Sequence, residues 1–227
     1  MFASSQTLLG VALGYILFSI FESVAHKYLL HAKWHTHIYW KNLGYLGEYI
    51  TNSWYSHHVV HHCKTFKTNH VTLFDSEQQE KELHQFLIKN NKEQIVLSSY
   101  GLRIGNIYEK IRYLYPHFLW LIIVCYAGGG WFTLGVLVPL FFYIWIAEYV
   151  HPYIHLPYSK AIGTASPIMR LVIKTKYFKY LAQHHYLHHK YINCNFNLML
   201  GADWFLGCHR SPNKNDLIEM NNLGLHE

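Results

Sequence analysis

The stretch Phe118–Val150 reads FLWLIIVCYAGGGWFTLGVLVPLFFYIWIAEYV and carries Glu148 as its one charged side chain. It exceeds the roughly 20 apolar residues that cross a bilayer as a helix, so it constrains the fold more than any other part of the chain. Gly128–Gly130 divide it. Three consecutive glycines favour a tight turn, which predicts a helical hairpin of two apolar arms. The first arm is short, a partial span unless it starts upstream near Tyr113. A second run, Leu8–Ala25, reads LLGVALGYILFSIFESVA, with Glu22 near its end, and it too is long enough to span. A buried helix pair in a soluble protein is the competing reading. It fits poorly with a chain that is 17% aromatic and only 14% charged, because such surfaces rarely stay soluble. The expectation is an all-α, integral membrane helical protein, one domain over residues 1–227, with membrane segments at about 8–25 and 116–150.

No basic residue precedes the first apolar run and no small-residue cleavage pattern follows it, which argues against a cleaved signal peptide. Lys27, Lys33 and Lys41 come soon after that run and place its far end in the cytoplasm. A hairpin that goes out and back then puts 26–115 and 151–209 on the same face, as a cytosolic cap on an organelle membrane or a bacterial inner membrane. Four cysteines without a C-x-x-C pair form neither a disulfide scaffold nor a zinc ribbon, and free thiols suit a reducing compartment. The net charge of +6 is spread thinly and no nucleic-acid motif accompanies it. A basic face toward anionic lipid or an acidic redox partner fits better than nucleic acid. Within the polar region, Ser76-x-x-Gln79 reads as a capping box opening a helix with Leu83, Phe86 and Leu87 on one face. That helix packs on the core or serves as a lid. No segment alternates for long as a strand would.

Histidine is the outlier, 19 of 227 residues. Two blocks share one pattern: His57-His58-Val59-Val60-His61-His62 and His184-His185-Tyr186-Leu187-His188-His189. At this histidine content H-H-x-x-H-H is expected about 0.01 times by chance, and it occurs twice. On an α-helix i, i+3 and i+4 share a face, so His58, His61 and His62 form one trio and His185, His188 and His189 another. His151 and His155 stand at i, i+4 just after the hairpin. His26 and His31 follow the first run at i, i+5, about 140° apart on an ideal α-helix. They face different metals, or the helix loosens between them, or His31 pairs with His35 instead. Ten imidazoles exceed what one ion needs, and two ions with about five nitrogens each is the natural count. Neutral ligands leave the ionic charge unbalanced, so carboxylates are expected behind the rings. Glu22 at i−4 from His26 and Glu148 at i−3 from His151 stand in register for that, though either could be a helix-end residue facing water. His57 and His184 adjoin the trios and are open as hydrogen-bond partners or replacement ligands. His35, His37, His70, His84, His117, His209 and His226 read as surface or interfacial side chains.

Taken together, HKYLLH (His26–His31), HVVHH (His58–His62), HPYIH (His151–His155) and HYLHH (His185–His189), set around apolar spans, resemble the fatty acid hydroxylase/sterol desaturase superfamily. The resemblance runs from about residue 10 to 207. It takes in the apolar pair between the second and third groups and the closing stretch NFNLMLGADWFLG (Asn195–Gly207). It implies an oxidoreductase with a histidine-ligated di-iron centre at the cytosolic membrane face, zinc being able to replace iron during purification. It implies O₂-dependent oxidation of an unactivated C–H bond of a lipid, hydroxylation ahead of desaturation, and it makes the ten boxed histidines the ligands, with no separate catalytic residue. Some features depart from the pattern: KTFKTNHVTLFD follows His62 where many relatives carry Pro and Arg, and Gly207-Cys208 stands where relatives end in Gly-Thr. No fused haem domain or dinucleotide fingerprint is present, so electrons come from a separate donor such as a b-type cytochrome or a ferredoxin. The alternative is a membrane metal-binding or transport protein. It calls for histidines lining a path within the spans, whereas these sit at span ends and in polar blocks.

Overall fold

The computed structural model describes residues 2–33, 38–191 and 193–225; among them the regular structure is helical, with no strand. Helix α1 (Phe2–Ala25) runs on into a π turn, His26–Leu30. Helix α2 (Gly44–Trp54) continues as a π-helical stretch, Tyr55–His62. After α3 (Glu77–Lys89), a 3₁₀ segment (Glu93–Ser98) and α4 (Ile107–Tyr113) comes the long apolar α5 (Tyr115–Trp145), which passes through a π turn at Ile146–Val150 into α6 (His151–Ile154). Short helices α7 (Tyr158–Thr164) and α8 (Pro167–Ile173) lead to α9 (Lys176–Lys190), then α10 (Ala202–Phe205) and α11 (Lys214–Asn222).

The stretches Ala3–Leu30 and Tyr115–Ile154 are long and apolar enough to cross a membrane. Helix α5 turns back on itself. Gly129 adopts φ 73°, ψ −178°, a backbone that only glycine takes without strain. Past it the chain reverses: Thr133 Oγ1 donates to the Cys125 carbonyl at 3.2 Å, and the rings of Tyr113 and Tyr143 stack 5.0 Å apart. On a straight helix residues that far apart in sequence would lie ~45 Å from each other. The glycine signal thus marks the hairpin turn. Helix α1 packs along the returning arm through a small-residue seam. The Cα of Gly135 would lie 3.1 Å from a Cβ on Gly10, and a Cβ on Gly14 would lie 2.8 Å from Pro139 Cγ. Gly10 and Gly14 form a G-x-x-x-G pair of the kind that lets membrane helices approach backbone to backbone. The outward faces stay apolar: Leu119, Ile122, Tyr126 and Phe141 are exposed. An exposed apolar surface of this extent marks contact with lipid or with another chain.

Below the hairpin, Ile146, Val150, Ile154, Ile173, Phe178 and Leu181 form the main core of the histidine-rich end. Ser76 caps α3 by accepting the Gln79 N–H at 3.2 Å. The reciprocal half differs from a capping box: Gln79 Oε1 accepts from Asp75 N–H, one residue earlier, and its Nε2 donates to the Lys64 carbonyl. Leu83 and Leu87 pack on Val60, Ile95 and Tyr100, each burial contributing about 1.5–3 kcal/mol. Helix α3 is therefore a buttress against the second histidine block.

Candidate metal centre

Four segments bring their histidines to one place: the π turn after α1, the π stretch after α2, α6 and α9. In a π turn the N–H of residue i+5 bonds to the carbonyl of i. His31 N–H does so to His26 O at 3.1 Å, and His151 N–H to Ile146 O. The wider turn brings i and i+5 onto one face. The 140° separation expected between His26 and His31 is thereby removed: the helix loosens between them, and their rings meet at 4.8 Å.

Two groups result. In the first, His26, His31, His57 and His188 each offer a ring nitrogen within 4.8 Å of the others. His57 Nε2 is 3.0 Å from His26 Nε2, 3.0 Å from His31 Nε2 and 3.2 Å from His62 Nε2. His62 Nε2 is 3.1 Å from His188 Nε2. In the second group stand His61, His151, His155 and His185, with Nε2 separations of 3.2 Å for His151–His185 and 2.9 Å for His185–His155. His189 joins His61 and His62 in one cluster and His70 and His155 in another. Nitrogens about 2.1 Å from one ion and at right angles to each other lie about 3 Å apart. The spacing is that of ligands around a shared cation. Both nitrogens of His61, Nδ1 of His185 and Nε2 of His189 lack a well-formed hydrogen bond although buried. Their lone pairs are free to ligate an ion or bind water.

The outer nitrogens of four inward rings, His26, His151, His155 and His188, are occupied. His26 Nδ1 donates to Asn195 Oδ1 at 2.7 Å, and Asn195 Nδ2 in turn donates to Asp203 Oδ1 at 2.8 Å and to the Ser23 carbonyl at 3.0 Å. His151 Nδ1 donates to Leu102 O at 3.0 Å, His155 Nδ1 to His70 O at 3.0 Å, and His188 Nδ1 to Cys194 O at 2.8 Å. Fixing the proton on Nδ1 leaves the Nε2 lone pair directed inward, the tautomer a metal needs. Burial first, and then the neighbouring rings, hold His57, His61, His62, His185, His188 and His189 well below the usual imidazole range. These rings are neutral at physiological pH, the state in which imidazole ligates.

Of the ten histidines expected as ligands, His26, His31 and His188 stand in the first group, with His62 beside them. His61, His151, His155 and His185 stand in the second, with His189 beside them. His58 belongs to neither. Its ring stacks on Trp54 at 5.9 Å and its Nδ1 lies 3.1 Å from His31 Nδ1. His57 occupies the central position instead. The trio of His58, His61 and His62 presumes an α-helix. The π stretch aligns His57 with His62 at i, i+5, the same spacing as HKYLLH, and that shared spacing was the available signal. Helix α9 stays α-helical, so His185, His188 and His189 face inward together while His184 turns toward His209, 4.9 Å away. His70 and His117 are buried, not surface side chains; His117 Nδ1 accepts from Trp120 Nε1 at 3.2 Å. His35, the other partner considered for His31, lies outside the described residues, as do His37 and His226.

The carboxylates also stand elsewhere than expected. Glu22 accepts the N–H groups of Leu198 and Met199 at 2.8 and 2.9 Å. Glu148 accepts those of Ile104 and Gly105 at 3.0 and 3.1 Å and pairs with Lys110 at 3.5 Å. Their contacts are with loop backbone whose N–H groups have no helical partner, while Asn195 and Leu102 hold the outer nitrogens of His26 and His151. Asn195 and Asp203, within the closing stretch of the chain, are the polar supports that residue spacing did not single out.

A cavity of about 240 Å³ reaches His26 and His57 of the first group and His151 and His185 of the second, with Ile50, Ile104, Ala147, Tyr143, Phe196 and Leu198 among its walls. Comparison with protein-family models, curated proteins and solved structures gives no match for this chain.

Proposed function

We propose that this chain is a membrane-bound oxidase of the fatty acid hydroxylase/sterol desaturase kind, which oxidises an unactivated C–H bond of a lipid with O₂. The observation that carries the reading is a mostly apolar cavity touching both histidine groups at once. A lipid chain lying there has a C–H bond beside each group, and position in the cavity decides which carbon reacts. When bound, two iron ions would supply the O₂-activating redox chemistry, using two electrons from a separate donor such as a b-type cytochrome or a ferredoxin. The imidazoles of the two groups, four of them fixed in tautomer by Asn195 and by the Leu102, His70 and Cys194 carbonyls, would hold the ions without adding charge. Phe196, Leu198 and Ala147 exclude water from the reacting carbon. Hydroxylation is favoured over desaturation as the simpler outcome of a single hydrogen removal. The two apolar stretches anchor the chain in the bilayer, with the histidine-rich end on the cytosolic face of an endoplasmic reticulum or bacterial inner membrane.

The test uses full-length chain expressed with ample iron, purified without chelator and returned to lipid discs. About two irons per chain and O₂ uptake that depends on lipid and on a reductant are expected. Iron-loaded protein that consumes no O₂ across acyl, sterol and carotenoid lipids would refute the reaction. Metal that exchanges freely across sealed vesicles would instead favour transport. Orientation is checked separately: exposed Cys63 should react with an impermeant maleimide from the cytosolic side only.

A further inference from the structure

His70 lies outside both histidine blocks, on the connection between the π stretch and α3, where the Asn69 side chain accepts the Val71 N–H at 2.9 Å. It is only 5% exposed. Its ring centroid is 4.3 Å from that of His155, 5.0 Å from His189 and 5.3 Å from His185. A nitrogen of His70 lies within 4.8 Å of nitrogens of His155 and His189. Neither of its ring nitrogens makes a well-formed hydrogen bond. Leaving such a group buried and unpaired costs about 1–3 kcal/mol, and an apolar side chain of similar size would fill the space without that cost. The backbone ties the residue to the second group as well. His155 Nδ1 donates to the His70 carbonyl.

We infer that His70 is a ligand of the second ion, on the side of His155 and His189. His61, His151, His155 and His185 form one set of mutually close ring nitrogens, and His70 extends it through His155 and His189. His26, His31, His57 and His188 form the other set, of which His26 and His57 line the cavity. The inference rests on the clusters being a metal centre and is independent of the reaction proposed for it.

Cobalt(II) is the probe, because its visible bands are weak when six-coordinate and stronger at lower coordination. Metal-free full-length chain in lipid discs is titrated with Co²⁺, and bound metal is counted. The His70→Phe variant keeps a buried ring but no donor; exposed His84→Ala is the control. Two Co²⁺ are expected in the parent and control. In His70→Phe one of the two should bind about tenfold more weakly or worse, with a stronger absorption band, while the other is unchanged. If His70→Phe does not fold, His70→Gln, which keeps polarity and approximate size, takes its place with the same expectation. Two sites of parental affinity and spectrum in the folded variant overturn the inference. Parent chain that binds no Co²⁺ overturns both this inference and the proposed oxidase. Two bound metals with no lipid oxidation refute the oxidase alone.

Discussion

Substituting His57 and His58 one at a time decides whether the second block works as a π-helix or an α-helix. His57 Nε2 contacts three other imidazole nitrogens at 3.0–3.2 Å, so it is the hub of the first group. Structural zinc sites with four ligands bind with about 10–16 kcal/mol, or about 3 kcal/mol per ligand. At 1.4 kcal/mol per decade, loss of one ligand weakens binding by about 10²-fold. The expected effect of His57→Ala is therefore a 10- to 100-fold loss at the first ion, since water refills part of the gap. His58 contributes a ring stack on Trp54 and one Nδ1 contact with His31, and His58→Ala should change affinity less than about threefold. The assay is competition against a chromophoric chelator, with metal counted after gel filtration. The second ion is the internal control: His57→Ala should leave it bound, whereas general unfolding would release both. Equal losses in the two variants, or a loss confined to His58→Ala, would show that His58, His61 and His62 share the ligating face and would refute the π-helical account.

Three further outcomes follow from the packing. Gly135→Val places a side chain against the Thr7 carbonyl at the α1 seam, and overpacking of this kind costs about 1–3 kcal/mol; thermal unfolding in detergent should show it, with Gly163→Ala, which meets open space, unaffected or slightly stabilised. Asn195→Ala removes the support behind His26 Nδ1 and should weaken the first ion 10- to 100-fold while sparing the second, read by the same chelator competition. Burial raises the Asp216 carboxyl pKa, but the Asn213 N–H, Lys190 and the Tyr191 hydroxyl together hold it below the usual range. A carboxylate with a depressed folded pKa stabilises above its unfolded value and loses that contribution as pH falls through the folded one. Proteolysis of α11 should therefore speed up as pH drops below about 4, and the acid dependence should be weaker in Asp216→Asn, with Glu219, which also pairs with Lys190, supplying the remainder.

How much of this was legible depended on which regularity the residues obeyed. Apolar run length and a triple glycine are local signals, and they gave two long apolar helices and the hairpin turn at Gly129. The α9 block obeys 3.6 periodicity, so its inward trio could be read directly. The α2 block does not, because its continuation is π-helical, and nothing in i, i+3, i+4 arithmetic selects His57 over His58. Glu22 and Glu148 meet loop backbone rather than an inward ring, for a related reason. Register on one helix says which residues lie near each other along it, but not that Asn195 and Leu102, distant in sequence, reach the outer nitrogens first. His70 carried no signal of its own: a single histidine in a polar loop becomes part of the centre only through the tertiary fold.

The placement of the carboxylates has an electrostatic consequence. Ten or eleven neutral imidazoles around two divalent ions would leave the full ionic charge in a buried region. Glu22, Glu148 and Asp203 are buried too, yet none contacts an inward ring directly. Asp203 acts through Asn195, and the two glutamates act through the loop backbone that walls the cavity. At an effective dielectric constant near 20, a charge pair at 4 Å is worth about 4 kcal/mol, and the value falls as separation grows. Carboxylates one layer back therefore offset the ions only in part. Bound ions would keep a strong pull on an electron-rich ligand entering from the cavity.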